Sequence, residues 1–233
     1  MQPPIPPAAR FGLHLALGAL LMIAAAWLFG AIAEDVVTGD RITVIDVELA
    51  HWLRSHASPG LTRWMLAITN LHSTVAVASY AAAAGLWFAL RRRWRLLVTL
   101  AVCMAGGLAL NVAMKFAFHR ARPVLDQPLL TLSSYSFPSG HVLGSTVLYG
   151  LLVVWMFVVT RRAGVRLLAL GVALAAIATV AFTRMYLGVH FLSDVGAAFL
   201  EGVAWLALSL SALAEFWRRT SLFGPPLPLA RSR

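Results

Sequence analysis

A histidine and an aspartate four residues apart, preceded by an arginine, form the polar group in this chain that is best suited to covalent chemistry. The group is Arg184, His190 and Asp194. Residues four apart share one face of a helix, so His190 and Asp194 are expected to meet. A carboxylate behind an imidazole fixes the tautomer of the ring and stabilises the cation that forms when the other nitrogen reacts. A buried structural ion pair has the same spacing, so this group alone leaves both interpretations open.

A second polar group, Pro138-Ser139-Gly140-His141, comes directly before an apolar segment. Pro and Gly favour the start of a helix, Gly140 permits close backbone approach, and a helix N-terminus offers free N–H groups to an anion. Ser139 adds a hydroxyl donor, and His141 adds a group that exchanges a proton near neutral pH. An ordinary N-cap turn with an interfacial histidine explains these residues equally well.

Basic residues form a third group, at Lys115, Arg120 and Arg122, and Pro123 ends the segment that carries them. Their positive charges and the forked guanidinium donors suit phosphate oxygens. Basic side chains that reach toward lipid headgroups account for this group when it is taken alone.

The three groups together contain the parts of a phosphoryl-transfer site. One histidine attacks phosphorus, the other protonates the leaving oxygen, and the cations stabilise the equatorial oxygens in the transition state. The set contains no carboxylate cluster for a metal, so we predict a site with neither a metal nor another cofactor.

The rest of the chain indicates the elements that position these groups. Of its 233 residues, 60% are hydrophobic and 12% charged, and the mean hydropathy is +0.80. Soluble domains carry about twice that share of charge. Six apolar segments approach or exceed the roughly 20 residues that span a bilayer. We therefore predict an all-α polytopic membrane protein with six transmembrane helices, at residues 11–33, 64–90, 96–118, 142–159, 167–183 and 191–217.

The domain organisation predicted from composition is simple. Residues 1–10 are rich in proline and are predicted to be disordered, residues 11–217 form one six-helix membrane domain, and residues 218–233 form a basic, Pro-rich tail. Apolar residues recur at helical spacing from 42 to 53, which predicts a short amphipathic helix on the membrane surface in the first outer loop. An ordinary loop helix packed on the bundle fits that pattern equally well.

Basic residues predict the orientation of the spans. Arg10, the hinges at 91–95 and 161–166 and the C-terminal arginines together hold twelve of the 19 basic residues. Basic loops tend to stay in the cytoplasm. Both termini are therefore predicted to be cytoplasmic, and the polar groups to lie at the outer face. The segments predicted to face outward are 34–63, 119–141 and 184–190. Short basic clusters separated by apolar spans argue against a nucleic-acid partner.

Lys115-x6-Arg122-Pro123, Pro138-Ser139-Gly140-His141 and Arg184-x5-His190-x3-Asp194 resemble the three-part signature of the type 2 phosphatidic-acid phosphatase superfamily. Thr183 stands where many members have a serine before the arginine.

The resemblance implies a role for each signature residue. His190 would form a phosphohistidine, Asp194 would orient it, and His141 would act as the general acid and then as the base that activates water. The implied phosphate binders are Lys115, Arg122, Ser139, Gly140 and Arg184. Members of the superfamily need no metal.

The expected function is therefore hydrolysis of a lipid phosphate or pyrophosphate in the bacterial cytoplasmic membrane, with the lipid and the bilayer as partners. Undecaprenyl pyrophosphate is the preferred substrate, because an outward-facing site suits carrier recycling. Phosphatidylglycerophosphate, phosphatidic acid and diacylglycerol pyrophosphate are the others. A lipid phosphotransferase with the same nucleophile and an anion transporter are the alternatives. The superfamily also includes vanadium haloperoxidases, which the predicted spans disfavour.

Four further residues receive an interpretation that the signature does not supply. Glu201 is interpreted as a structural hydrogen-bonding residue in preference to one that lines a lipid-tail cleft. Asn111 is interpreted as an interhelical hydrogen-bonding residue. His119 and Arg120 are candidate contacts for the substrate headgroup.

Overall fold

The computed structural model describes residues 7–125 and 128–220 of the chain. Within these ranges the chain forms eight α-helices and no strand, so the all-α prediction is confirmed. The helices are α1 (Pro7–Thr38), α2 (Arg41–Ser55), α3 (Pro59–Leu71), α4 (Thr74–Leu90), α5 (Trp94–Phe118), α6 (Gly140–Val159), α7 (Ala163–Tyr186) and α8 (Leu192–Arg219).

Six stretches of the described chain are long and apolar enough to cross a bilayer, as predicted, and α3 and α4 together make the second of them. In the apolar stretch of α1 only 6% of the residues are buried inside the protein, whereas in the apolar stretch of α8 33% of the residues are buried. Exposed apolar surface on this scale is stable when it faces lipid rather than water. Helix α8 therefore lies centrally, and α1 packs along it with most of its surface turned outward.

The first two spans differ from the prediction in their limits. Helix α1 begins at Pro7, inside the segment predicted to be disordered, because proline is well tolerated in the first turn of a helix. It continues past Ala33 and ends before Gly39, whose φ is +77°. The remaining residues predicted to be disordered, 1–6, lie outside the described ranges, as do 221–233 of the predicted tail.

The second span begins at Pro59 rather than Trp64 and is broken into two helices. Ser58 caps α3, with its hydroxyl accepting from the Leu61 N–H, and Ser73 caps α4, with its hydroxyl accepting from the Ala76 N–H at 3.2 Å. Serine caps of this kind compete with a continuous helix. The outer segment predicted at 34–63 is therefore mostly helical.

The short helix predicted in that segment is present as α2. Its buried residues are Asp46, Ala50 and Leu53, whereas Ile45 and Trp52 are exposed. The helix packs on the bundle with a face that includes a buried carboxylate. The apolar spacing predicted the helix but did not reveal that Asp46 points inward.

The core lies where α5, α6, α7 and α8 meet, around Cys103, Val147, Ile177, Val180 and Leu206. Helices α6 and α8 approach each other closely at Gly202. A Cβ atom added at that glycine would lie 2.7 Å from a methyl group of Thr146. At one end of this contact the Ser139 N–H donates to the Asp194 carbonyl at 3.1 Å. The start of α6 is thereby fixed against the first turn of α8.

Candidate active site

Five segments meet at one end of the bundle and bring the predicted site residues together. They are the end of α5 with Lys115, the following loop with Arg122, the start of α6 with Ser139, Gly140 and His141, the last turn of α7 with Arg184, and the start of α8 with His190 before it and Asp194 in its first turn.

His190 and Asp194 are buried and in contact. The Nδ1 atom of His190 lies 3.3 Å from Oδ2 of Asp194, and the same oxygen accepts the Phe191 N–H at 2.9 Å. The chain turns sharply before His190 at Gly188, where φ is +69°, a conformation that glycine adopts without strain. With Nδ1–H directed at the carboxylate, the Nε2 lone pair of His190 is left for chemistry.

The environment keeps His190 neutral. Burial is the main cause that lowers the pKa of His190 from 6.5 to about 4, and the charges of Arg122 and Arg184 act in the same direction. Asp194 opposes the shift through its hydrogen bond and its charge. A neutral imidazole retains the lone pair that a nucleophile needs.

Arg122 is held against His190 by backbone carbonyls. Its Nη1 donates to the Val189 carbonyl at 2.5 Å and lies 3.3 Å from Nε2 of His190. Its Nε and Nη2 donate to the carbonyls of Ser134 and Tyr135 at 2.7 and 3.1 Å. Burial lowers the pKa of the Arg122 guanidinium, and the charge of Asp194 opposes that shift. The guanidinium is therefore fixed beside Nε2 of His190 by contacts within the protein.

Arg184 and Ser139 present hydrogen-bond donors that no group in the described part of the chain accepts from. Arg184 is 1% exposed, and its Nη1 donates to the Thr69 hydroxyl at 2.7 Å. Among the described residues, the Nε and Nη2 atoms of Arg184 and the hydroxyl of Ser139 are buried without a hydrogen-bond partner. Unpaired buried donors are costly, and an anion that accepts from them removes the cost. Helix α6 begins one residue later, at Gly140, so its free first-turn N–H groups lie beside that hydroxyl.

Lys115 and His141 complete the set. The Lys115 ammonium donates to the Tyr135 carbonyl at 2.8 Å, in the loop that also fixes Arg122. His141 is partly buried in the first turn of α6 and lies within electrostatic reach of Arg184 and His190. Every signature residue therefore reaches the same end of the bundle.

Arg120 is not directed outward as a headgroup contact. Its Nη1 donates to Asp194 Oδ1 at 2.6 Å, and its Nη2 donates to Asp46 Oδ2 at 2.7 Å. Sequence reasoning missed Asp46, together with Thr69 and Ser193, which also contact site residues. In the sequence Asp46 was interpreted as lying off the apolar stripe of its helix, and no pattern indicated that it would face inward toward Arg120.

The two polar residues predicted within the spans bind each other. The Asn111 side-chain amide donates to Glu201 Oε2 at 2.9 Å and joins α5 to α8, which confirms the interhelical interpretation of Asn111. Glu201 is 4% exposed, and within the described part of the chain its Oε1 has no hydrogen-bond partner.

An apolar cleft begins at the site and runs between α4, α5 and α6. It has a volume of about 240 Å³, and its walls include Val77, Ala81, Leu108 and Leu143. Gly140 lines it as well, so the cleft adjoins the start of α6. An apolar cavity that adjoins a cluster of phosphate-type donors suits an amphiphilic ligand.

The described part of the chain contains no group of side chains that could bind a metal ion together. Across residues 7–125 and 128–220, no three or more His, Cys, Asp or Glu residues lie where they could hold one together.

Comparisons with known sequences agree with the arrangement of the motifs. The family model of the PAP2 superfamily matches residues 96–218. Phosphatidylglycerophosphatase B of Bacillus subtilis (strain 168) is 34% identical over 125 residues, which make up 52% of this chain and 58% of that protein. The chain thus matches less than two thirds of that relative's length.

Two solved structures share the fold. A crystal structure described as the first transmembrane PAP2 type phosphatidylglycerolphosphate phosphatase from Bacillus subtilis matches with a TM-score of 0.73 at 24% identity, covering 87% of this chain and 98% of that one. Aquifex aeolicus LpxE matches with a TM-score of 0.56 at 19% identity, covering 71% and 94%. At sequence identities this low, the two structural matches establish a common helical architecture and nothing about activity.

Proposed function

Because this chain belongs to the PAP2 superfamily, we propose that it hydrolyses a phosphate ester or anhydride of a membrane lipid through a phosphohistidine on His190. The observation that carries the proposal is the juxtaposition of a buried, neutral His190, backed by Asp194, with buried donors on Arg184 and Ser139 that have no partner in the described chain. Such donors are organised for a tetrahedral anion before it arrives.

The proposed first step assigns one role to each of these groups. Nε2 of His190 attacks phosphorus, the bond from phosphorus to the leaving oxygen breaks, and His141 gives that oxygen a proton. Asp194 stabilises the positive charge that develops on the imidazole. In the second step His141 takes a proton from water, the water oxygen attacks phosphorus, and the N–P bond breaks to release inorganic phosphate.

The cations supply the electrostatic part of catalysis. Arg122, fixed beside Nε2 of His190, would bind an equatorial oxygen, and the two unpartnered nitrogens of Arg184 would bind another. Lys115 and the first-turn N–H groups of α6 add positive potential. This set neutralises phosphate charge without a metal, so we propose that the reaction needs none.

The apolar cleft supports a lipid as the substrate. Its wall includes Gly140, next to the Ser139 hydroxyl, and continues along Val77, Ala81 and Leu108 between spans. We propose that an acyl or prenyl tail lies in this cleft while the phosphate meets His190. The name of the Bacillus subtilis relative favours phosphatidylglycerophosphate, whereas an outward-facing site favours undecaprenyl pyrophosphate.

The proposal also specifies the side of the membrane on which the site lies. The basic hinges at 91–95 and 161–166 lie at the end of the bundle opposite the site, at the ends of the helices that lead to it. By the positive-inside rule, the site faces outward from a bacterial cytoplasmic membrane and both termini are cytoplasmic.

A panel of lipid phosphates tests the function. Purified protein in detergent micelles should release phosphate from at least one of undecaprenyl pyrophosphate, phosphatidylglycerophosphate, phosphatidic acid and diacylglycerol pyrophosphate, with and without EDTA. His190→Ala should lower the rate by about 10⁴-fold or more, and the matched control His56→Ala, at an exposed position, should not.

Three results would contradict parts of the proposal. Turnover retained in His190→Ala would remove the nucleophile assignment, and inhibition by EDTA that a divalent ion reverses would remove the metal-free claim. Labelled phosphate that appears on a second lipid rather than in solution would identify a phosphotransferase.

A further inference from the structure

The two oxygens of the Asp194 carboxylate have different partners. Oδ2 faces Nδ1 of His190 at 3.3 Å and accepts the Phe191 N–H. Oδ1 accepts from Nη1 of Arg120 at 2.6 Å. The angle that the carboxylate presents to His190 therefore depends on where Arg120 lies.

Arg120 in turn bridges two buried carboxylates. While Nη1 binds Asp194, Nη2 donates to Oδ2 of Asp46 at 2.7 Å. The guanidinium also lies over the Phe191 ring, with 4.4 Å from its central carbon to the ring centroid. A planar fork that binds two carboxylates and stacks on a ring has a single favourable orientation.

Asp46 binds the start of α8 as well as Arg120. It is 1% exposed, its Oδ1 accepts the Ser193 N–H at 2.9 Å, and its Oδ2 accepts the Ser193 hydroxyl. Ser193 directly precedes Asp194, and its hydroxyl also accepts from Nη1 of Arg120 at 2.6 Å. Helix α2 is thus connected to Asp194 by two routes, one through Arg120 and one through the α8 backbone.

From these contacts we infer that Asp46 is a positioning residue of the reaction, which holds Asp194 against His190 through Arg120 and Ser193. Asp46 itself does not touch His190 in this network, so its effect passes through Asp194. The inference rests on the proposed function, because it concerns the orientation of the proposed nucleophile.

Asp46→Asn is the variant that tests this role. The amide keeps the size of the side chain but puts an NH₂ group in place of one carboxylate oxygen. If the NH₂ replaces Oδ2, Arg120 and the Ser193 hydroxyl lose their acceptor, and if it replaces Oδ1, the Ser193 N–H loses its acceptor. A displaced Asp194 should lower kcat by about 10- to 100-fold. KM should change little, because Asp46 does not reach the substrate. Glu48→Gln is the matched control on α2, since Glu48 is exposed, and it should leave kcat unchanged.

A double-mutant cycle separates positioning from general support of the fold. If Asp46 acts through Asp194, then Asp46→Asn should change kcat by less than about threefold in an Asp194→Asn background. A purely structural role would instead lower kcat by the same factor in both backgrounds. Arg120→Lys is a second, independent variant, because it keeps the charge but cannot bridge both carboxylates, and it should act in the same direction.

Two outcomes would overturn the inference: a wild-type kcat in Asp46→Asn, or equal losses in the two backgrounds. If Asp46→Asn is not recovered folded, a wild-type kcat in Arg120→Lys overturns it alone. His190→Ala is measured in the same assay. Turnover retained in that variant would refute the proposed function, whereas loss there together with a wild-type rate in Asp46→Asn would refute only the role of Asp46.

Discussion

Burial and charge at His190 decide which form of the side chain is present in the free protein. The imidazole is 3% exposed, it touches one carboxylate, and two arginines lie within electrostatic reach. Burial and the arginines disfavour the cation, while Asp194 favours it. The lowered pKa indicates that burial and the arginines prevail, so the ring is neutral at physiological pH. In the proposed mechanism it becomes cationic as the N–P bond forms.

This balance predicts the acidic limb of the pH profile. Because protonation removes the Nε2 lone pair, kcat/KM should fall as the pH drops through about 4, the pKa of His190, rather than through 6.5. Asp194→Asn removes the contributions that raise this pKa, so the limb should move to still lower pH, at a lower plateau. Profiles measured on two lipid substrates separate the enzyme from the titration of the substrate. A limb near 6.5 on both would contradict the prediction.

The lowered pKa of His190 also makes the stability of the fold depend on pH. Between pH 6.5 and about 4 the unfolded chain binds a proton at His190 that the folded protein does not, so the free energy of unfolding should decrease as the pH falls through this window.

At the scale of elements, contacts between helices outside the site fix its geometry. The helices involved are α3, α6, α7 and α8. Thr69 of α3 fixes Arg184, and the Tyr186 hydroxyl at the end of α7 accepts the Ser58 N–H at 3.0 Å. Helices α6 and α8 meet at Gly202, and their close approach sets the distance between the motif that begins α6 and Asp194.

A single methyl group should disturb that approach. A Cβ at Gly202 would lie 2.7 and 2.8 Å from Cγ2 and Cβ of Thr146, and the second of these cannot rotate away. Gly202→Ala should therefore destabilise the protein by about 1–3 kcal/mol, measured as a lower thermal midpoint in detergent, and reduce kcat. Gly171→Ala is the matched control, because Gly171 is also inside a helix and has no atom within 4 Å. A midpoint in Gly202→Ala equal to that of the control would show that α6 and α8 separate freely.

At the scale of the whole molecule, the spans place the basic hinges at one end and the proposed catalytic groups at the other. The 42–53 segment, which forms part of α2, lies with the site, as do residues 119–125 and 128–139 and the turn at 187–191. The orientation of the bundle in the membrane therefore determines into which compartment the proposed reaction would release phosphate.

Thiol labelling tests this orientation. Cys103 is the one cysteine of the chain and is 0% exposed, so it should not react. In intact cells a membrane-impermeant maleimide should label Ser133→Cys, in the exposed loop near the site, and should not label Arg161→Cys, in the opposite hinge, until the cells are opened. The reverse pattern would place the site in the cytoplasm.

The sequence by itself determined the features that are local in the chain. Hydropathy predicted six spans, because each span is a long and mostly apolar stretch of consecutive residues. Spacing identified the pair His190 and Asp194, although His190 lies before α8 and the carboxylate in the first turn of that helix contacts it, so the two residues do not share a helix face. The resemblance of the motifs to a known signature then predicted which residues would bind phosphate, since each motif is short and local in the chain.

Only the tertiary structure decided which distant residues support that chemistry. Asp46 lies 147 residues from Ser193, and Thr69 lies 115 residues from Arg184, yet each pair is in contact. Helical periodicity relates neighbours within one helix, whereas these contacts depend on how α2 and α3 pack against α7 and α8. Asp46 consequently resembled a surface charge in the sequence, although packing places it beneath Arg120 as an inward-facing acceptor.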